Sequence, residues 1–127
     1  MIKDIVCRAL TSADVPLIEK PKGILRSDAK RPDGLTLVPW SKGKMLTWDA
    51  TVTDTLAPSN LPVSMYTPGA AAEAASAAKT LKYEQISATY LFVPLAIETL
   101  GPICVEGSSL LEEILLLLLQ KIYMLSI

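Results

Sequence analysis

Apolar residues recur along this chain with two different periods, and the switches between them predict the order of its elements. Ile2, Ile5, Val6, Ala9 and Leu10 fall at spacings of three and four, which predicts a first helix over residues 2–13. Residues 15–19 are short and β-favouring until Pro21 and Gly23 break them, and residues 20–34 read as a loop rich in charge and turn formers. Residues 35–38 predict a short strand ended by Pro39, and residues 41–44 a hairpin turn. Residues 45–55 then alternate, with Leu46, Trp48, Ala50 and Val52 on one face and Thr47, Asp49, Thr51 and Thr53 on the other. An acid thus interrupts what otherwise reads as a strand.

Residues 57–68 hold three prolines and no period, so they predict a connecting loop. The alanine-dominated stretch 69–85 has high helix propensity and small side chains that let a neighbouring element approach closely. Residues 90–93 predict a strand, edged by Pro94 and resuming through Ile97, with Gly101 and Pro102 ending it. Ser108 or Ser109 is the expected cap of a last helix running through Tyr123. The order is helix, strand, hairpin, helix, strand, helix. It predicts an α/β domain with a mixed sheet flanked by helices over residues 1–107, followed by a leucine-rich helix over 108–127.

Composition narrows the chemistry. Of the 127 residues, 50% are apolar, enough for one core, and none is histidine. That excludes Ser-His-Asp and Cys-His nucleophile systems and histidine-bound zinc. Any metal would be held by oxygen, which favours magnesium or manganese. Cys7 and Cys104 lack metal-site spacing and read as buried thiols in a reducing compartment, so the expected setting is intracellular, nuclear or cytoplasmic. The run of six large apolar residues at 114–119 is far shorter than the roughly 20 that span a bilayer. It predicts a buried or partner-seeking helix, with self-association as one outcome, and no membrane.

A net charge of −1 conceals an asymmetry. Residues 20–44 hold seven basic side chains and two acidic ones, whereas residues 45–127 hold three and eight. The basic block surrounds Asp33 and would attract a phosphate backbone by releasing counterions. Lys30, Arg31, Lys42 and Lys44 are the expected DNA contacts, with a solvated lysine-rich loop as the alternative.

Asp33, in the turn Pro32-Asp33-Gly34, and Asp49, in the strand beyond it, are two acids that can converge on one cation. Such a pair suits phosphodiester cleavage, where the ion neutralises phosphate and acidifies water. With this order of elements, the pair resembles the PD-(D/E)xK nuclease superfamily, whose core is αβββαβ. More narrowly, the strings 23–34, 46–59, Lys79-Thr80-Leu81-Lys82-Tyr83 and 92–101 are similar to the C-terminal endonuclease-like region of animal non-LTR retrotransposon reverse-transcriptase polyproteins. The likeness covers roughly residues 4–113. It implies a restriction-endonuclease-like fold, Asp33 and Asp49 as metal-binding catalytic acids, Mg2+ or Mn2+ as cofactor, and DNA as partner.

The chain also departs from that pattern. The usual lysine two residues after the second acid is Thr51, which cannot supply positive charge. Some members move this lysine to the following helix, which makes Lys82 the first candidate and Lys79 the second. Glu98 reads as a solvated strand end rather than an accessory acid, and Glu19 as a surface charge rather than a further ligand. Trp48 belongs to the apolar face; Trp40 is open between packing and base stacking. After Glu113 the related polyproteins continue with a basic helix, whereas this chain runs into leucines, as a frameshifted or truncated relic would. The expectation is therefore a retroelement-derived nuclease-like domain with weak or lost cleavage. The alternatives are a non-catalytic nucleic-acid-binding remnant and a protein-interaction module.

Overall fold

The computed structural model describes residues 2–22, 31–60 and 67–126. The described elements are α1 (Ile2–Ser12), β1 (Leu17–Glu19), β2 (Gly34–Ser41), β3 (Lys44–Thr53), α2 (Ala70–Lys82), a 3-10 turn (Glu84–Ile86), β4 (Leu91–Glu98) and α3 (Val105–Ser126). Four strands form one mixed sheet in the order β1-β2-β3-β4. The first two pairings are antiparallel and β3 runs parallel to β4, as the intervening α2 crossover requires. The α/β class and the mixed sheet flanked by helices are thus present.

Local chemistry explains the joints. Helix α1 buries Val6, Cys7 and Leu10 and ends where Asp14 turns left-handed, at φ 63°. Val15 N–H then reaches back to the Leu10 carbonyl and Asp14 N–H to Thr11, the Schellman pattern that satisfies the last carbonyls. At the β2–β3 hairpin Lys42 and Gly43 both take positive φ, as a two-residue type I′ turn demands.

Two prolines are accommodated differently from expectation. Strand β2 does not stop at Pro39 but continues to Ser41 through register shifts on either side of that residue. Because β1 pairs with only Gly34–Thr36, the second half of β2 is a free edge, where a missing donor does no harm. Likewise β4 runs unbroken through Pro94, because β4 is the other edge of the sheet.

Each face of the sheet has its own core. Leu46 and Trp48 of β3 and Leu95 of β4 pack with Val6, Cys7 and Leu10 of α1 and Leu110 and Ile114 of α3. Ala96, pointing the other way, meets Ala72 and Ala75 of α2 together with Cys104, so the alanine tract lies close on β4. Further along that face Tyr83 and Ile86 pack with Tyr90 and Phe92. Both cysteines are buried free thiols.

Helix α3 begins at Val105, earlier than a serine cap at 108 or 109 would place it. Cys104 is the cap instead: its Sγ accepts from Gly107 N–H at 3.4 Å and its carbonyl from Ser108 N–H at 2.9 Å. Glu73 Oε2 takes the Val105 N–H at 2.9 Å. The expected division between residues 107 and 108 falls inside this continuous helix, whose first half belongs to the core. No helix among the described residues is long and apolar enough to cross a membrane.

Candidate functional site

Strand register brings the two acids together. Gly34 stands opposite Trp48 in the antiparallel β2–β3 pair, so Asp33 and Asp49, one residue further along, oppose each other on the α2 side. The Asp33 backbone is clamped on both sides: its N–H donates to the Trp48 carbonyl and its carbonyl accepts from Lys20 N–H, each at 2.9 Å. Asp33 Oδ2 then accepts from the Ala50 N–H at 2.7 Å, standing in for a main-chain acceptor ahead of the start of β2. This leaves Oδ1 as the freer oxygen.

Asp49 lies beneath α2 and is 5% exposed. Its Oδ2 pairs with the Lys79 ammonium at 2.8 Å. Burial raises the Asp49 pKa above its ordinary value; the Lys79 hydrogen bond opposes this, and the Asp33 charge adds to it. A hydrogen bond between the two acids, available when one is protonated, acts in the same direction as the Asp33 charge.

Of the two candidate lysines, Lys79 reaches Asp49. Lys82 is exposed, with its ammonium 5.2 Å from the Tyr83 ring centroid. Ala72, Ser76, Lys79 and Tyr83 share one stripe of α2, and this stripe faces the sheet. Tyr83 closes the far side. Its hydroxyl donates to the Arg31 carbonyl at 3.0 Å, tying the end of α2 to the turn that carries Asp33. Burial, then the Asp49 and Asp33 charges, push that hydroxyl up to about 12. Thr51 is half-buried and pairs across to Ala96.

Other sequence candidates lie elsewhere. Glu98 is not a solvated strand end: it is 2% exposed, and its Oε2 accepts the Ala72 N–H at 3.1 Å. Gly69, the N-cap of α2, has no side chain to offer, so Glu98 serves the helix N-terminus from β4. Glu98→Ala is therefore expected to cost about 1–3 kcal/mol in denaturant unfolding by orphaning a buried donor. Divalent-cation binding should be unaffected, because Glu98 is aligned with Thr53, four residues along β3 from Asp49.

Glu19 pairs with Gly34, which places it on the α1 side of the sheet, away from Asp49. It lies near Cys7, whose thiol is pushed up to about 11 by burial first and Glu19 second. Trp40 donates its indole N–H to Glu113 Oε2 at 2.7 Å, which binds β2 to α3 and resolves its role as packing.

The basic block is split in space. Lys20 and Arg31 flank Asp33, but Lys42 and Lys44 sit at the hairpin tip, with Lys44 Nζ donating to the Ser87 carbonyl at 3.0 Å. Five residues of strand separate Lys44 from Asp49, on the order of 17 Å. Lys30 lies outside the described residues.

Among the described residues no three His, Cys, Asp or Glu side chains converge to hold a metal ion. Two facing carboxylates remain, a donor set that fits Mg2+ or Mn2+, since such ions use one or two carboxylates plus water and phosphate oxygens. Comparison with family models, with curated proteins and with solved structures returns no match.

Proposed function

We propose that Asp33, Asp49 and Lys79 form a PD-(D/E)xK-like phosphodiester-cleaving site of low activity, in a restriction-endonuclease-like domain derived from a retroelement, with DNA as its substrate. The observation that carries this reading is the facing Asp33–Asp49 pair with an ammonium from the following helix 2.8 Å from one of its oxygens. The element order αβββαβ supports it, because Pro-Asp precedes the second strand and the second acid lies in the third.

A divalent cation between the acids would supply charge neutralisation and a more acidic water. The protein's own contributions are distinct from that. Asp33 is held in place by the Ala50 N–H, and Asp49 by Lys79, so the acids are pre-oriented before any cation arrives. Lys79, on being released by Asp49, is placed to stabilise charge developing on phosphate. Arg31 and Lys20 extend positive charge along the approach to Asp33.

A second reading, a non-catalytic nucleic-acid-binding remnant, is favoured by one specific observation. The ammonium already neutralises Asp49, and Thr51 adds no second positive group. Plasmid nicking in Mn2+, alongside Mn2+ titration calorimetry, separates the two. Slow nicking by the wild type and none by Asp49→Asn is expected. Undiminished nicking by Asp49→Asn would sink the site assignment, and Mn2+ binding without any nicking would leave the remnant reading.

A further inference from the structure

The second half of α3 presents an apolar surface that the domain does not cover. Leu115, Leu116, Leu119, Ile122 and Tyr123 are each between 51% and 67% exposed. On a helix of 3.6 residues per turn these five fall within one arc. Within it, Leu116, Leu119 and Tyr123 recur at spacings of three and four, flanked by Leu115 and Ile122 seven residues apart. That is the a/d seam of a paired helix and its shoulder.

The roll of the helix is fixed, so this arc faces outward. Leu110 and Ile114 are sunk in the core, and Lys121 is drawn to the opposite side, with Nζ 2.7 Å from the Ser12 carbonyl and 3.1 Å from Asp14 Oδ1. Five such residues leave roughly 550 Å2 open, at the upper end of the largest patch that a monomer usually exposes. Leu116 also lines a depression of about 390 Å3 with Val38, Pro39 and Trp40, which continues the patch onto the free edge of β2.

From this geometry we infer that the exposed arc of α3 pairs antiparallel with the same arc of a second copy of this chain. The patch itself carries no charge, so a copy of the same surface meets it without burying an unpaired ion. Two copies can bury up to roughly 1,100 Å2, at the lower end of specific interfaces. Charge selects the orientation. A parallel pair would set Glu112 against Glu112, at the head of the seam, whereas an antiparallel pair centred on residue 121 separates them and opposes the helix dipoles. Leu119 then faces Tyr123 of the other copy. The α2 face, with Asp33, Asp49 and Lys79, stays uncovered because α2 and α3 pack on opposite sides of the sheet.

Sedimentation equilibrium of the full chain at micromolar concentration, with circular dichroism as a folding control, tests this. The wild type is expected at twice 13.7 kDa, and Leu119→Glu at 13.7 kDa with an unchanged spectrum. Mixing Leu119→Cys and Tyr123→Cys chains should give an oxidised heterodimer faster than either variant alone gives a homodimer. A monomeric wild type, an aggregate of no fixed size, a dimeric Leu119→Glu, or faster homodimer crosslinking would each overturn the antiparallel pair.

Discussion

Lys79→Met is expected to destabilise the domain by about 3 kcal/mol near pH 8, the cost of stranding one member of a buried ion pair, and by much less below about pH 4. The Asp49 side chain is 7% exposed and that of Lys79 24%, so solvent offers the orphaned carboxylate little in exchange. Folding raises the Asp49 pKa above 3.8, chiefly by burial. A carboxyl raised in this way takes up protons on folding. Its contribution therefore favours the native state below the unfolded pKa and is lost as pH climbs through the native one. Lys79 is a cause that lowers the native pKa. Without it the native value rises further, so the loss becomes deeper and extends to higher pH.

Two controls make the result specific. Asp49→Asn in the Lys79→Met background should recover most of the stability, because an amide needs no counter-ion. Saturating Mn2+ should raise the melting temperature of Lys79→Met more than that of the wild type, since the cation replaces the missing positive charge and binds only the folded site. Equal melting-temperature losses at both pH values would show that the Lys79–Asp49 contact carries no net stability.

What could be read from the sequence depended on whether the cause was local. The alternation of 45–55 was sufficient to place Asp49 on the face opposite Trp48, because side-chain direction in a strand follows position alone. Which lysine meets Asp49 depended on the roll of α2. One signal was available: Ala72 and Ser76 continue by steps of four, three and four to Lys79 and Tyr83, whereas Lys82 lies on the neighbouring stripe. The prolines misled because their tolerance depends on strand order. Pro39 and Pro94 would end interior strands, but both lie on edges, and edge status is a property of the whole sheet. Glu98 reads as solvated because a carboxylate at a strand end usually is; its partner, the Ala72 N–H, is 26 residues away. The basic block was counted along the chain, and the hairpin carries Lys42 and Lys44, two of its seven cations, to the far end.

The largest single loss of stability is expected from Gly34→Ala, and it should be relieved by a second change at Trp48. Gly34 takes no positive φ, so its requirement is for space rather than for backbone freedom. A Cβ at this position would overlap the six-membered ring of Trp48, which lies directly across the β2–β3 pair. That ring is wholly buried among Val6, Leu10 and Leu95 and has nowhere to retreat. Overpacking of this kind typically costs 1–3 kcal/mol, and with backbone held in an interior pairing about 3 kcal/mol or more is expected. Trp48→Phe alone should cost about 1–2 kcal/mol, less than the usual loss for so large a ring. The indole N–H is buried without a hydrogen-bond partner among the described residues, so its removal sacrifices no bond. Combining the two should give a coupling of about 2 kcal/mol in a double-mutant cycle, since the smaller ring vacates the space the methyl needs. The site should respond in parallel, because Asp33 adjoins Gly34 and Asp49 adjoins Trp48. Forcing the strands apart separates the acids, so Mn2+ affinity should fall in Gly34→Ala and recover in the double variant. Strict additivity of the two substitutions in both stability and Mn2+ binding would mean that the Trp48 ring does not set the spacing between the two carboxylates.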